Sequence, residues 1–260
     1  MKLSFYKYQG TGNDFVIIDN RSLGLKREDV THIRQLCDRR FGIGADGLIY
    51  LQQREGYDFE MVYYNSDGRE STMCGNGGRC IVKFAHDLGL GKEEFSFLAI
   101  DGPHVGRILP DGIVSIQMKD VTNASHRGDH YVLDTGSPHY VQFVDGISTF
   151  PVADRGRSIR YSDTYRAEGI NVNFVEELSR GHIFVRTYER GVEDETYSCG
   201  TGVVASAISY FYEKDTGLTD IQVKTLGGDL KVRFDLHGPQ FINVWLTGPA
   251  EQVFSGETTI

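Results

Sequence analysis

Two glycine-rich segments that each follow a cysteine constrain this chain more than any other feature of its sequence. In the first, Cys74 ends a polar turn, Gly-Asn-Gly-Gly follows, and residues 81–86 carry an apolar-periodic helical pattern. In the second, Cys199 is followed by Gly-Thr-Gly and by small and apolar residues over 203–207. Each segment predicts a helix that begins directly after a cysteine. Either cysteine alone would fit a buried structural residue beside a turn, but the second copy favours a function.

The two segments belong to a longer internal repeat. They are separated by close to half of the 260 residues. Each half also opens with Thr-Gly, two polar or turn residues, an apolar strand and an aspartate, at 11–19 and at 135–145. We infer two pseudo-symmetric α+β domains from an internal duplication. Each is expected to be a curved, barrel-like mixed sheet wrapped around a central helix, with the active site in the cleft between the two domains.

Apolar and alternating runs predict many short strands separated by turns. The amphipathic spacing at 26–38 predicts a surface helix whose charges face solvent and whose Cys37 packs inward. Polar residues at 119–129 mark the best boundary between domains. The predicted domains are residues 1–119, completed by a returning C-terminal strand at 250–260, and residues 120–249. The main predicted strands lie at 3–8, 15–19, 48–51, 59–64, 95–100, 114–118, 222–225, 230–234 and 241–246. A further apolar strand is predicted within 131–145, a strand start at 169–175, and residues 182–191 lead towards Cys199.

The composition argues against several classes of partner. The formal net charge is −9 and no long basic run occurs, so a nucleic-acid partner is not expected. No segment approaches the roughly eighteen apolar residues of a membrane span. The first residues of the chain also lack the apolar core of a signal peptide. We therefore expect no membrane partner and a cytoplasmic protein.

Other uses of the cysteines and glycines fit the sequence less well. Four cysteines in 260 residues are typical of a reducing compartment rather than of a disulfide framework. Cys74 and Cys80 lack neighbouring His or Cys at zinc-ribbon spacing, so no metal site is expected. A redox pair would normally share a Cys-x-x-Cys motif, which is missing. The glycines at 42–47 precede a strand, whereas a dinucleotide-binding loop follows one.

Two opposed thiols have an evident use in acid/base chemistry. Inversion of a carbon α to a carboxylate needs a base on one face and an acid on the other, and a thiolate and a thiol supply both without a cofactor. Unpaired N–H groups and the helix dipole at a helix start lower the pKa of a cysteine held there. The same groups stabilise a carboxylate as charge develops on it. The two cysteines need only exchange roles for the reverse reaction.

The motifs at these positions resemble those of the diaminopimelate epimerase family. They are Met-Cys-Gly-Asn-Gly-Gly-Arg-Cys at 73–80, Gly-Asn-Asp-Phe at 12–15, Tyr-Glu-Arg-Gly at 188–191 and Ser-Cys-Gly-Thr-Gly at 198–202. The likeness runs from about residue 5 to the C-terminus. Proline racemase and its relatives share the paired cysteines but typically carry Cys-Gly-His-Gly at the first site, so Asn76 favours the epimerase.

The resemblance implies a cofactor-independent isomerase that interconverts LL- and meso-diaminopimelate in lysine and peptidoglycan-precursor synthesis. Cys74 and Cys199 would be the two acid/base residues, and His139 would support proton movement. The oligomeric state stays open, with a homodimer as one option. The substrate contacts implied by the resemblance are the backbone amides of Gly75, Asn76, Gly200 and Thr201 for the reacting carboxylate, and Asn13, Asn65, Asn171, Glu189 and Arg190 for the distal amino-acid end.

These contacts make chemical sense, although each residue has an ordinary alternative. Arg binds carboxylates through two hydrogen bonds, Asn supplies neutral donors, and Glu accepts a cation. Taken singly, the asparagines would fit turn residues, the Glu189–Arg190 pair a surface ion pair, and His139 a local hydrogen bond. Only the combination of motifs favours a substrate site.

Two positions depart from the family pattern. Many members carry Gln where this chain has Gly47, and Gly-Asn-Pro-His where it has Gly-Ser-Pro-His with Ser137. The shorter Ser137 is expected to remake a distal contact through water. The changes bear on substrate recognition and leave the two-thiol chemistry in place. They keep open a racemase or epimerase of another amino acid, such as a proline-racemase-like enzyme. A further alternative is a non-catalytic amino-acid-binding module on the same fold, but the presence of both Cys74 and Cys199 argues against it, since binding alone needs neither thiol.

Overall fold

The computed structural model describes residues 2–25, 30–215 and 217–259. The backbone forms two compact units. One comprises Met1–Ile116 together with Gly248–Ile260, and the other comprises Gln117–Thr247. The predicted domain limits, at 119/120 and 249/250, fall near these divisions and stay a prediction.

The first unit holds two helices and a mixed sheet. Strand β1 pairs antiparallel with β2, β2 parallel with β3, and β3 antiparallel with β4. Strand β4 pairs antiparallel with β5 and parallel with β6, and the sheet continues antiparallel through β7 to β8. The elements are β1 (Lys2–Gly10), β2 (Asn13–Asp19), α1 (Val30–Cys37), β3 (Gly47–Gln52), β4 (Phe59–Asn65), β5 (Glu70–Ser71), α2 (Gly75–Asp87), β6 (Glu94–Ala99), β7 (Gly102–Ile108) and β8 (Val114–Gln117).

The second unit repeats the order of these pairings. Strand β10 pairs antiparallel with β9 and β11, β11 parallel with β12, and β12 antiparallel with β13. Strand β13 pairs antiparallel with β14 and parallel with β15, and β16 and β17 follow antiparallel. The elements are β9 (Ala124–His126), β10 (Tyr131–Asp134), β11 (Pro138–Phe143), a 3-10 turn (Ile147–Thr149), α3 (Val152–Arg160), β12 (Asn171–Ser179), β13 (His182–Glu189), β14 (Asp194–Thr196), α4 (Gly200–Lys214), β15 (Asp220–Thr225), β16 (Gly228–His237) and β17 (Gln240–Gly248).

The chain ends on a strand of the first sheet. Strand β18 (Glu251–Thr259) runs antiparallel to β1 and takes the place that β9 takes beside β10. In each unit a short helix connects the two strands of a parallel pair, β2 and β3 or β11 and β12, and a long helix follows the cysteine. Within the residues that the structure describes, no helix has the length and apolar character needed to cross a membrane.

Both faces of the first sheet are buried, which explains the apolar run in β2. Phe15 faces α2, because its ring lies 3.4 Å from the place that a Cβ on Gly77 would occupy. The alternate residues Val16 and Ile18 pack with Ile33 of α1 in a separate core cluster. Helix α2 touches β1, β2, β3 and β7, strands from across the whole sheet. A single helix can reach all of them only if the sheet curves around it.

The second sheet is covered in the same way. Val172 and Phe174 of β12 pack in a cluster with Val152 of α3. Helix α4 contacts β10, β11, β12, β13, β15 and β16 from the opposite face. Asn173 faces this helix, since a Cβ on Gly202 would lie 2.3 Å from its Oδ1 atom. The predicted α+β fold, with a curved mixed sheet around a central helix in each half, is confirmed.

The surface helices were harder to predict than the strands. Helix α1 begins at Val30, and the first part of the predicted helix, residues 26–29, lies outside the described residues. Nothing in the sequence analysis indicated α3. Its buried residues are only Val152 and Gly156, and charged residues dominate its composition, so it lacks a continuous apolar stripe.

Helix α3 yields a test of its packing against β13. A Cβ added at Gly156 would lie 2.3 Å from the Tyr188 Cβ atom. Gly→Ala normally stabilises a helix interior by about 0.5–1 kcal/mol. Here overpacking, at about 1–3 kcal/mol, should outweigh that gain. We expect Gly156→Ala to lower the free energy of unfolding by about 1–2 kcal/mol.

The measurement is urea unfolding followed by the fluorescence of Trp245, the only tryptophan of the chain, which lies in the second unit. Ser158→Ala, an exposed change on the same helix, is the matched control and should stay within about 0.5 kcal/mol. Equal stability of Gly156→Ala and the parent protein would contradict the described packing.

Candidate active site

Cys74 stands at the start of helix α2. It is the N-cap residue, with extended backbone angles of φ −95° and ψ 132°, and its carbonyl accepts a 2.7 Å hydrogen bond from the Gly78 N–H. Its side chain is half-buried. Because the first amides of a helix have no intrahelical partner, the N–H groups that follow Cys74 present partial positive charge at this end. The sequence-predicted amides of Gly75 and Asn76 belong to this turn.

The side chain of Asn13 lies against Cys74. Its Oδ1 atom is 3.7 Å from the Cys74 Sγ and accepts a 3.3 Å hydrogen bond from the side-chain Nδ2 of Asn76. Its Nδ2 atom donates to the Asp46 carboxylate at 2.7 Å. A carboxylate can only accept, so this bond fixes the amide orientation and turns Oδ1 towards the sulfur. Three residues predicted from the sequence, Cys74, Asn13 and Asn76, are therefore brought together.

A charged network holds Asp46 and its neighbour Asp14. Arg39 donates to both oxygens of Asp14 at 2.9 and 2.7 Å and to Asp46 at 2.7 Å. Lys7, which is buried, pairs with Asp14 at 2.7 Å. Burial alone would raise the pKa of Asp14, but hydrogen bonds from Arg39 and Lys7 outweigh it and hold that pKa well below its usual range. Asp14 therefore stays ionised, and the network around Asn13 keeps its charge balance.

Asn65 and Gly47 lie opposite each other on β4 and β3. Asn65 is exposed at the end of its strand. A Cβ on Gly47 would lie 2.6 Å from both the Tyr63 ring and the Tyr64 carbonyl oxygen. The space beside Gly47 is thus filled by Tyr63, which is 8% exposed. The departure from the family pattern at this position has a steric cause in this chain.

Cys199 stands at the start of α4 as Cys74 does at α2. It is the N-cap residue, with φ −116° and ψ 109°, and its carbonyl accepts a 2.9 Å hydrogen bond from the Val203 N–H. The thiol is buried and lies 3.5 Å from the Thr201 hydroxyl. The predicted backbone amides of Gly200 and Thr201 form the first turn of the helix.

A chain of neutral hydrogen bonds supports the Thr201 hydroxyl. His139 Nε2 lies 2.9 Å from it, and His139 Nδ1 lies 3.1 Å from the Asn173 Nδ2. Asn173 Nδ2 also donates to the Tyr140 carbonyl at 2.9 Å, and its Oδ1 accepts from Thr187 at 2.9 Å. The Asn173 amide therefore donates to Nδ1, which places the imidazole proton on Nε2. The single N–H at Nε2 faces the Thr201 hydroxyl at 2.9 Å and the Ser137 Oγ at 3.0 Å, and the Thr201 hydroxyl is in turn within reach of the Cys199 sulfur.

Burial keeps His139 neutral. The side chain is fully buried, and this lowers its pKa to about 3, with a smaller contribution from the charge of Arg190. Its neutral tautomer thus persists through the pH range in which most proteins work.

Ser137 links this chain to Asn171. The Asn171 Nδ2 donates to the Ser137 Oγ at 3.1 Å, and the same oxygen lies 3.0 Å from His139 Nε2. The Asn171 Oδ1 accepts from the Arg190 backbone N–H at 2.9 Å. The short side chain of Ser137 thus makes direct contacts within the protein, and its water-mediated contact to the distal end of a substrate stays a prediction.

The remaining predicted pair, Glu189 and Arg190, lies at the end of β13. Thr196 donates to the Glu189 carboxylate at 3.0 Å, and the exposed Arg190 guanidinium donates to the Glu168 carbonyl at 3.0 Å. In the second unit the structure therefore gathers Cys199, Thr201, His139, Ser137 and Asn171 in one hydrogen-bonded group, with the Arg190 backbone attached.

Several residues that hold these groups were missed from the sequence. Asp46 lies in the glycine-rich stretch that was weighed only as a phosphate loop. Asn173 carried a usable signal, because a lone amide in the apolar run Val-Asn-Phe-Val is a buried polar group in need of partners. Arg79 carried a similar one, as a charged residue in a helix turn of glycines and apolar residues. Among the described residues, no cluster of His, Cys, Asp and Glu is arranged to hold a metal ion.

Comparison with solved structures identifies the class of fold. A phenazine biosynthesis protein of the PhzF family from Bacillus anthracis superposes with a TM-score of 0.73 at 16% identity, and all of both chains is covered. A hydroxyproline epimerase from Agrobacterium vitis, solved with bound trans-4-hydroxy-L-proline, superposes with a TM-score of 0.68 at 11% identity over 99% of this chain and 92% of that one. The chain has the fold shared by these proteins.

Comparison of sequences identifies the family. The diaminopimelate epimerase family model matches residues 5–129 and 131–253. The chain is 52% identical to a diaminopimelate epimerase from Flavobacterium psychrophilum, over 99% of this chain and 100% of the relative. It is 40% identical to one from Chlorobaculum tepidum, over 96% of this chain and 99% of the relative. The chain belongs to the diaminopimelate epimerase family.

The buried imidazole makes a testable contribution to pH dependence. The folded protein keeps His139 neutral down to about pH 3, whereas the unfolded chain binds the proton near pH 6.5. The unfolded state therefore holds more protons between these values, and the free energy of unfolding falls as the pH drops through them. Between pH 7 and pH 5 we expect His139 to lower the free energy of unfolding by about 2 kcal/mol.

The measurement is urea unfolding at pH 7 and pH 5, with Trp245 fluorescence as the probe. His139→Gln should lose about 2 kcal/mol less than the parent protein over that interval, whatever its absolute stability. His237→Gln, an exposed change in the same unit, is the control and should keep the parent slope. Identical slopes for all three proteins would mean that His139 is not held neutral.

Proposed function

We propose that this protein is a diaminopimelate epimerase, an isomerase that inverts one α-carbon to interconvert the LL and meso forms without a cofactor. The proposal rests on family membership together with one observation: in each unit a cysteine is the N-cap of the long central helix. Cys74 and Cys199 are the two acid/base groups, one removing the α-proton from one face while the other returns a proton to the opposite face.

The helix starts contribute to the chemistry. Removal of an α-proton builds negative charge on the adjacent carboxylate. The backbone amides of Gly75 and Asn76 at the start of α2, and of Gly200 and Thr201 at the start of α4, place hydrogen-bond donors at a positive helix end. Donors aimed at developing charge stabilise the transition state more than the ground state. These amides therefore bind the reacting carboxylate.

The hydrogen-bond inventories of the two sulfurs differ and indicate the resting protonation state. Cys74 faces an acceptor, the Asn13 Oδ1, whose partner Asp46 prevents the amide from turning. Cys199 faces the Thr201 hydroxyl, and we take this hydroxyl to accept from the His139 Nε2–H and to donate its own proton to the sulfur. An acceptor favours a thiol and a donor favours a thiolate. We assign Cys74 as the thiol and Cys199 as the thiolate before substrate binds.

The polar residues at the ends of the strands provide for the distal amino-acid group. Its carboxylate suits the exposed Arg190 guanidinium, and its ammonium suits the Glu189 carboxylate. Asn13, Asn65 and Asn171 supply neutral donors and acceptors, and Asn171 and Asn13 are already oriented by their protein partners. His139 and Ser137 act through Thr201 and Asn171 and do not touch the substrate.

The biological setting follows from the family. We propose that the enzyme acts in the cytoplasm, in lysine and peptidoglycan-precursor synthesis, on free diaminopimelate. A homodimer is compatible with this role and stays a prediction.

Deuterium exchange tests the proposed reaction. Purified, reduced protein incubated with LL-diaminopimelate in deuterated water should form the meso isomer with deuterium at one α-carbon. Positioned acid/base groups contribute about 10²–10⁴-fold to rate. Cys74→Ala and Cys199→Ala should each lower the rate of isomer formation by at least about 10³-fold while the substrate still binds.

Cys37→Ala is the matched control. Cys37 is buried, and burial raises the pKa of its thiol to about 12, so it is not available as a base. This variant should keep the parent rate. Exchange with proline or hydroxyproline but not with diaminopimelate would assign a different amino-acid substrate. Binding without exchange of any amino acid would favour a binding module.

The support of Asn13 by Asp46 gives a second test. Asp46→Ala removes the acceptor that orients the Asn13 amide. Misplacement of a contact group by about 1 Å can cost about 10²-fold in rate, and we expect a loss of that order in kcat/KM. Asp67→Ala, which removes an exposed carboxylate from the turn after β4, should leave kcat/KM within about two-fold. If Asp46→Ala does the same, Asn13 does not need its partner.

A further inference from the structure

Arg79 is a buried cation in the second turn of helix α2. It is the largest of the fully buried side chains, with 0% exposure. Its guanidinium donates to the Asn76 side-chain oxygen at 3.1 Å, the Thr11 hydroxyl at 3.1 Å, the Gly75 carbonyl at 3.2 Å and the Pro249 carbonyl at 3.3 Å. All four acceptors are neutral oxygens.

Within the part of the chain that the structure describes, no carboxylate pairs with this charge. Among the described residues, none of the ion pairs includes Arg79, in contrast to Lys7, Arg39 and Lys83 of the same unit. Burial lowers the pKa of Arg79 to about 10, so the group remains protonated at neutral pH. A buried charge without a partner is strongly unfavourable, and four neutral acceptors could be satisfied by a neutral donor. The positive charge itself therefore calls for an explanation.

Cys74 is the ionisable group whose thiolate would balance the positive charge of Arg79. Arg79 donates to the carbonyl of Gly75, the residue directly after Cys74. The neighbouring Cys80 is fully buried, and burial raises the pKa of its thiol far above neutrality, so it cannot provide the anion. The same guanidinium donates to the Asn76 side-chain oxygen, and the Asn76 Nδ2 donates to the Asn13 Oδ1 that lies 3.7 Å from the Cys74 sulfur. A negative charge on Cys74 raises the pKa of Arg79, and in a site of low dielectric constant such charges interact with little screening.

We propose that Arg79 is a positioning residue for catalysis: its uncompensated buried charge stabilises the thiolate of Cys74 when that residue acts as the base. This inference rests on the proposed acid/base role of Cys74. It resolves an apparent conflict in the site, because the Asn13 acceptor favours the Cys74 thiol, yet Cys74 must lose its proton in one direction of a reversible reaction. The charge of Arg79 offsets the effect of the Asn13 oxygen on the pKa of Cys74, so that Cys74 can act both as a thiol and as a thiolate.

The pH dependence of Cys74 alkylation tests the proposal without any substrate. Iodoacetamide labelling is measured from pH 5 to 11 in a Cys199→Ala background, and modification of Cys74 is read by peptide mass spectrometry. With Arg79 present, the midpoint should lie below the ordinary cysteine value of about 8.5. Arg79→Gln should raise the midpoint by about one to two pH units. Arg79→Lys keeps the positive charge, so its midpoint should stay close to that of the protein with Arg79.

Two further variants separate charge from structural support. Lys83→Met removes a cation from the same helix that already pairs with Asp87, and should leave the midpoint unchanged. Thr11→Val removes a hydrogen bond to the guanidinium but not its charge, and should also leave it unchanged. If the Arg79 variants do not fold, the midpoint measured with Arg79 present decides the matter, because a value at or above about 8.5 would overturn the proposal.

Equal midpoints for Arg79→Lys and Arg79→Gln, no shift in Arg79→Gln, or a shift of one unit or more in Thr11→Val would overturn the proposal. Failure of the proposed function would look different. In that case the alkylation midpoint would still respond to Arg79, but no amino acid would exchange deuterium. If both stand, Arg79→Gln should also move the basic limb of the kcat/KM pH profile upward.

Discussion

The enclosure of a long helix by its own curved sheet is the constraint on which the rest of the structure depends. A cysteine at a helix start is common, but here the helix is buried on nearly every side, so its first turn is held against strand ends that carry polar side chains. Gly77 and Gly202 allow this approach: a side chain at either would meet Phe15 or Asn173. The chemistry of each thiol therefore follows from how closely helix and sheet pack.

The two units support their N-cap cysteines with different kinds of side-chain network. Around Cys74 the support is ionic: Lys7, Arg39, Asp14 and Asp46 share charge in one network. Around Cys199 it is neutral and runs from Asn173 through His139 to a hydroxyl. A duplicated scaffold has thus kept its strand order and its N-cap cysteines while the groups behind them diverged. Cys74 therefore faces an amide oxygen and Cys199 a hydroxyl, a difference that a strictly symmetric pair would not have.

Much of the architecture could be predicted from local sequence, and much of the supporting network could not. The Cys-Gly segments predicted the starts of α2 and α4 because glycine-rich turns followed by apolar periodicity leave few alternatives. The contact of Asp14 with the Asp46 loop depends on the parallel register that pairs Phe15 with Gly47. Such a register is set by the folded sheet as a whole and leaves no mark in a single sequence. The roles assigned to the site residues stay predictions.

The crowding at Gly47 has a consequence for how this sequence can change. Because the Tyr63 ring fills the place of a side chain at 47, the two positions are energetically coupled. A small residue at 63 would remove the contact with the ring but not the one with the Tyr64 carbonyl oxygen, which lies equally close. Mutations at 47 and 63 are therefore epistatic, and a side chain at 47 also requires a shift of the strand backbone at 64. Gly47 is therefore a residue that single substitutions in this chain do not easily replace.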